Sequence, residues 1–216
     1  MDDSRIQIEI ENQRKRGVLL VLTGPTCVGK DTIMHILLKN NPNLVRLVTT
    51  TSRPMRPGEE EGKDYHFVTR PEFEKMISNN ELLEWVEYLE HYKGGQKRHV
   101  EEALSSGKDI IWRIDVRGVK NIKGKVTEML TDPNSPVTAA AFVFLAPPEL
   151  ATLKRRMEKR GTENSTVHEA GLNLAQWEMD QYDDSEYLVI NEDEKEEDAA
   201  KKIEAIVEAE RAKIRK

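Results

Sequence analysis

The sequence predicts an α/β fold, a parallel sheet covered by helices on both faces, and three observations carry that expectation. A continuous apolar run, Val18 to Leu22, is bounded by Gly17 and Gly24. Strand-like and helical stretches then alternate along the chain. Between the first strand and the first helix lies a glycine-containing turn that runs directly into a lysine, Gly24 to Lys30. An apolar run without polar alternation is the pattern of a strand buried on both faces. Strands that alternate with helices imply parallel pairing.

Taken in order, residues 1–16 form an N-terminal extension, polar with sparse apolar positions, read as an added helix or an arm. Behind the first strand, Ile33, Ile36 and Leu37 recur at helical spacing. Ile110-Ile111-Trp112-Arg113-Ile114 reads as a second buried strand followed by a helix, and Ala139 to Leu145 as a third. Pro147-Pro148 then open a helix, a position where the missing N–H costs nothing. Tyr187 to Ile190 is the last strand, before a C-terminal helix. The exception lies between Arg53 and Glu90, where β-prone pieces (His66-Phe67-Val68 and Leu82 to Val86) flank a short helix from Pro71 to Ser78. That stretch reads as a small lobe inserted into the core. No internal repeat and no Gly/Ser- or Pro-rich linker divides the chain, so a single domain is expected.

Composition narrows the function. At 216 residues, with 38% hydrophobic and 33% charged residues, the chain can bury one core while leaving much helix surface in water. No apolar run reaches the roughly 18 residues that span a bilayer, and the acidic start, Met1-Asp2-Asp3, lacks the sign of a signal peptide. A cytoplasmic address without membrane partners is expected. The single cysteine, Cys27, excludes an internal disulfide framework. A net charge of −6 argues against nucleic-acid binding, which draws on massed Lys and Arg. The histidines (His35, His66, His91, His99 and His168) show no paired metal-ligand spacing, which argues against zinc. The acidic stretch Glu192 to Asp198 suits a loop and a helix N-terminus in water.

Phosphate recognition must then be local, and one segment provides for it. Gly24-Pro25-Thr26-Cys27-Val28-Gly29-Lys30-Asp31-Thr32 sits between a buried strand and a helix. Glycines let backbone N–H groups curl around an anion, the helix N-terminus adds partial positive charge, and Lys30 reaches the phosphates. This is a P-loop pattern, with Asp31 where a magnesium-binding Ser or Thr is usual. An ordinary βα turn is the alternative, but spacing, lysine and strand–loop–helix context all favour the cradle. Cys27 reads as a small packing residue, with no His or Asn partner close in sequence.

The lobe carries a more specific signal. Thr51-Ser52-Arg53-Pro54-Met55-Arg56-Pro57-Gly58-Glu59 runs on to Gly62-Lys63-Asp64-Tyr65-His66-Phe67, with Glu84-Trp85 downstream. Together with Ile114-Asp115, Ala146-Pro147-Pro148, Arg160-Gly161-Thr162-Glu163 and Val189-Ile190-Asn191, this resembles the guanylate kinase family over roughly residues 17–210. The resemblance implies transfer of the γ-phosphate of ATP to GMP, with magnesium, giving ADP and GDP. It implies a P-loop NTPase three-layer core (about 17–50, 97–156 and 172–216), a GMP-binding lobe (about 51–96) and a helical lid (about 157–171). Gly24 to Thr32 would hold ATP, with Asp31 at the magnesium. Arg53, Arg56 and Tyr65 would hold the GMP phosphate, with Lys93 near it. Glu84, supported by Thr49 and Asp115, would accept from the adjacent donors of guanine. Lys30, Arg156 and Arg160 would act on the transferred phosphates.

Arginine forks do match phosphate oxygens, although without the surrounding string Arg53 and Arg56 would read as surface residues and Glu84 as a solvated strand residue. Likewise, Lys154, Arg155 and Lys159 read as the solvated face of the helix that carries Arg156. The chain departs from the family pattern at Asp31, at Lys93 and Gly95 (a usual Tyr and a Ser or Thr), at Arg113 (the first carboxylate of an Asp-x-Asp strand) and at Gly171 (a catalytic arginine). A protein-interaction domain of the same fold with little catalysis is the rival reading, and a kinase for another nucleoside monophosphate a third. The retained Gly24, Gly29 and Lys30 favour the enzyme. The oligomeric state is not legible.

Overall fold

In a computed structural model the fold is described for residues 6–7, 10–11, 16–132, 134–160 and 165–214, with backbone alone at 88, 160 and 165–169. In chain order the first half comprises β1 (Leu19–Thr23), α1 (Lys30–Asn40), β2 (Leu44–Arg46), β3 (Thr50–Thr51), β4 (His66–Phe67) and α2 (Arg70–Ser78). There follow β5 (Leu82–Tyr88), β6 (His91–Gln96), α3 (Lys97–Ser105), β7 (Asp109–Arg113) and α4 (Val116–Thr131). The chain continues through β8 (Ala140–Ala146), α5 (Leu150–Arg160), α6 (Ser165–Met179), β9 (Tyr187–Ile190) and α7 (Glu196–Ala212).

The main sheet has the order β2-β7-β1-β8-β9, and each neighbouring pair is parallel. β1 lies at its centre and is buried at every position. Its side chains alternate between two cores. Leu20 and Leu22 join Ile33, Met34 and Leu37 of α1 and Ala199, Ala200 and Ile203 of α7. Leu19 and Val21 instead meet Val100 and Leu104 of α3 and Val119, Ile122 and Val126 of α4. The continuous apolar run thus has its cause: each face of the strand needs hydrocarbon, because each face carries helices. The expected α/β three-layer core is what forms.

A second sheet, β4-β3-β6-β5, stands apart from the first, with β6 antiparallel to both neighbours and β3 parallel to β4. Its helix, α2, begins at a capping box. Thr69 accepts from the Glu72 amide and the Glu72 carboxylate accepts from the Thr69 N–H at 2.7 Å. Phe73, Leu82 and Tyr92 form the small core beneath it, with the Phe73 and Tyr92 rings stacked at 5.2 Å. Two strands of this sheet give no sequence signal. β3 is two residues long, and β6 contains Gly94 and Gly95.

Two expectations need adjustment. Pro147 and Pro148 precede α5 instead of forming its first turn, since that helix begins at Leu150. Of the expected lid, 157–171, residues 161–164 lie outside the described residues, and the described remainder falls on the end of α5 and the start of α6, with backbone alone at 160 and 165–169; much of the extension 1–16 also lies outside the described residues. Among the described residues no helix is long and apolar enough to cross a membrane.

Candidate active site

The loop after β1 is shaped by close packing at its start. Gly24 has φ +139°, and a Cβ there would lie 2.2 Å from the Leu145 carbonyl oxygen of β8, so only glycine fits. Cys27 is left-handed at φ 62° and packs, half-buried, against the core. Gly29 is the residue before α1 and has no side chain with which to cap that helix. The first amides of α1 therefore remain available to an anion. Indeed, one loop amide already faces a carboxylate: the Thr26 N–H donates to Glu178 Oε2 at 2.7 Å.

Lys30 curls over this loop and donates to the carbonyls of Gly24 at 2.6 Å and Pro25 at 2.8 Å. Burial lowers its pKa to about 8, with Glu178 opposing the shift and Arg113 adding to it. The whole segment Thr26 to Thr32 lines a cavity of about 550 Å³ together with Arg113, Arg156 and Lys159. Arg156 ties this wall together. It donates to the Val28 carbonyl at 2.9 Å and the Asn191 carbonyl at 3.0 Å, and pairs with Asp193 at 2.7 Å. The Arg160 side chain lies outside the described residues.

A second cavity, of about 270 Å³, adjoins the first and is lined by Thr49, Glu84, Lys93 and Asp115 together with Thr26, Lys30 and Arg113. Glu84 reaches it because the pairing of β5 with β6 shifts register between Leu82 and Glu84. Such a bulge re-aims side chains, and it turns Glu84 inward, where it is only 9% exposed. Burial, reinforced by the nearby Asp115 carboxylate, raises the Glu84 pKa to about 7, against the pull of Lys93 and Lys125. Asp115 has a structural task as well. It caps α4, accepting from the Gly118 N–H at 3.1 Å.

Arg53, Arg56 and Tyr65 line a third cavity, of about 390 Å³, which also contains Lys93. Arg53 makes a two-pronged pair with Glu59 at 2.6 and 2.8 Å, and the Glu59 carboxylate also accepts from the Arg56 amide at 2.8 Å. The Arg53 guanidinium therefore holds the Glu59 pKa down to about 2. The Tyr65 ring lies 5.2 Å from the Arg53 guanidinium and 5.1 Å from Lys93 Nζ. The residues expected around one ligand are thus divided between two cavities, with Lys93 common to both.

Three features of the site add to what was read from the sequence. Lys159 lines the loop cavity, where a solvated face was the expectation; its spacing of three from Arg156 is the signal that places both on one side of α5. Glu178 approaches from α6 with no motif around it. Gly95 has a partner that explains it, since a Cβ there would meet the Trp112 ring at 2.5 Å. Trp112, only 1% exposed, fills the space that a side chain at position 95 would need. As the strand alternation predicts, Arg113 and Asp115 are exposed while Trp112 and Ile114 are buried. Arg113 pairs with Asp31, Nε to Oδ1 at 3.2 Å. Both side chains are substantially exposed, and such a pair is worth only ~0–1 kcal/mol.

A parallel α/β core with a lysine-bearing glycine loop at the end of its central strand defines a P-loop nucleotide-binding protein. Comparison with known proteins narrows the class. The family model described as guanylate kinase matches residues 16–210. Guanylate kinase from Onion yellows phytoplasma (strain OY-M) is 39% identical over 203 residues, covering 94% of this chain and 90% of that protein. Guanylate kinase from Bacillus subtilis (strain 168) is 39% identical over 201 residues, covering 93% and 92%. Among solved structures, guanylate kinase from Anaplasma phagocytophilum superposes with a TM-score of 0.63 at 30% identity, covering 92% of this chain and 88% of that one. The chain belongs to the guanylate kinase family.

Proposed function

We propose that this protein transfers the γ-phosphoryl group of ATP to GMP, giving ADP and GDP. The observation that carries the reading is the meeting of two cavities at Lys30. One is wrapped by the glycine loop and the start of α1, and the other contains the inward-turned carboxylate of Glu84. In this reading Gly24 to Thr32 cradle the triphosphate through backbone N–H groups, and Lys30 follows the charge of the transferred phosphoryl. Arg156 and Arg160 add positive charge from α5. Thr49, Glu84 and Asp115 take the guanine, while Arg53, Arg56, Tyr65 and Lys93 take the acceptor phosphate. dGMP is included as an acceptor, because these contacts address base and phosphate.

Magnesium is the implied companion of the triphosphate. It keeps several waters and takes one or two carboxylates beside the phosphates, so no dedicated cage is required. Among the described residues no group of three or more His, Cys, Asp or Glu side chains could hold a metal, whereas Asp31 stands in the loop cavity with its carboxylate largely exposed. That donor set fits an ion delivered with the nucleotide, and Asp31 would hold it. Bound there, the ion would neutralise charge on the phosphate oxygens.

The direct test is to offer purified protein Mg-ATP with each of GMP, dGMP, AMP, CMP and UMP and to identify the products. GDP and dGDP are the expected products. Preferential conversion of a pyrimidine monophosphate or of AMP would replace the reading.

We further propose that the GMP-binding lobe, 51–96, closes on the core when both nucleotides bind. The support is the division of the acceptor contacts, with Arg53, Arg56 and Tyr65 in one cavity and Glu84 in another. Closure would bring them onto one ligand and exclude water from the transfer. Amide hydrogen exchange across 51–96 is expected to slow with GMP plus a non-hydrolysable ATP analogue. Equal exchange with and without the two ligands would mean a rigid lobe.

A further inference from the structure

We propose that Arg113 is a catalytic cation of this enzyme, one that contacts the phosphoryl group as it passes between the nucleotides and is held beforehand by Asp31. The inference rests on the kinase reading above and adds a residue to it. Among the described residues, Thr26, Lys30 and Arg113 are those that line both the loop cavity and the Glu84 cavity. The Thr26 amide is already taken by Glu178 Oε2 at 2.7 Å, and the other two residues offer charge. Arg113 also lines a smaller cavity with Tyr65 and Lys93, so its side chain stands between the core and the lobe.

The attachment of Arg113 suits this task. Its backbone is fixed, because Arg113 pairs in register with Leu22 of the central strand and the next amide, of Ile114, donates to the Leu22 carbonyl at 3.2 Å. The buried neighbours Trp112 and Ile114 anchor the strand end on either side. Only the side chain is at liberty to pivot. Its recorded partner, Asp31, is itself mostly exposed at 3.2 Å, a weak pair that a more highly charged phosphate would displace. Arg113 and Lys30 are also close enough for the guanidinium to lower the ammonium pKa. Two like charges across a boundary are unfavourable until an anion lies between them.

The transfer itself asks only for such charge. The bond from the bridging oxygen to the γ-phosphorus breaks while an oxygen of the GMP phosphate bonds to that phosphorus. Both Arg113 and Lys30 keep their protons throughout. Charge on the three equatorial oxygens is met by the planar fork of one cation and the point charge of the other.

Three readouts on Arg113→Ala, checked for folding by thermal melting, test this. kcat for GMP is expected to fall at least tenfold, with the KM of each nucleotide within threefold of wild type. Calorimetric affinity for adenosine and guanosine joined by five phosphates should fall at least tenfold, while GMP alone and ATP alone bind within threefold. Added methylguanidine should restore part of kcat to the variant and nothing to wild type. Arg113→Lys should lie between wild type and Ala, and Arg113→Asp below Ala. A folded Ala variant within twofold of wild-type kcat, or an Asp variant faster than Ala, overturns the proposal while leaving the kinase reading intact. Absence of GMP turnover by wild type would overturn both.

Discussion

Replacing Lys30 by methionine is expected to lower kcat by at least on the order of a hundredfold, the scale of losing one group aimed at developing charge in a water-poor site. The substitution is conservative in shape, since both side chains are unbranched and of similar length. Its stem is buried, and Nζ donates to the Gly24 and Pro25 carbonyls at 2.6 and 2.8 Å. Methionine keeps the packing and gives up those bonds. Lys30 lines two cavities that water can enter, so the fold should survive. Circular dichroism and the melting transition check that premise. KM for GMP should change little, because Glu84 and the lobe residues are untouched. A folded Lys30→Met protein that turns over within tenfold of wild type would remove Lys30 from the proposed chemistry.

The parts of this molecule legible in the sequence are those governed by local pattern. Val18 to Leu22 announces a strand with helices on both sides, because each residue in it must be apolar whichever face it serves. The glycine loop is equally local, being one strand end, one turn and one helix start. Glu84 is different. Its inward orientation depends on a register shift against β6, a strand without a sequence signature of its own. Gly95 departs from the family pattern when considered alone, and becomes intelligible only beside Trp112 of β7.

The same holds for Asp31 and Arg113, which are 82 positions apart in the chain. Parallel pairing of β1 with β7 brings the helix start that follows one strand next to the end of the other. Two departures that seem unrelated in sequence are one ion pair in space. Lys159 shows the opposite failing. The information was present, since residues three apart share a helix face, but a run of basic residues gives no reason to prefer one face until a cavity is known. Glu178 had no such clue, because what singles it out is an amide on a distant loop.

Glu84→Gln is expected to reduce the GMP-to-AMP preference in kcat/KM by about 10- to 150-fold, the equivalent of roughly 1.5–3 kcal/mol for hydrogen bonds to a charged group. Guanine offers N1–H and an exocyclic amine side by side, so a carboxylate can accept from both. An amide must turn one donor toward a donor, and the same donor would suit the bare ring nitrogen of adenine. The carboxylate works only when ionised, and its pKa is raised to about 7 by burial and the adjacent Asp115. Wild-type kcat/KM for GMP should therefore decline as pH falls through about 7, where Glu84 takes up a proton. Below that, the acceptor's own phosphate takes up a proton near pH 6, but this affects GMP and AMP alike. The ratio of the two substrates isolates Glu84. In wild type the ratio should drop on acidification, whereas in Glu84→Gln it should be low and flat across the range. A ratio unchanged by the substitution, or one that keeps its inflection near pH 7 in the Gln variant, would place guanine recognition elsewhere in the cavity.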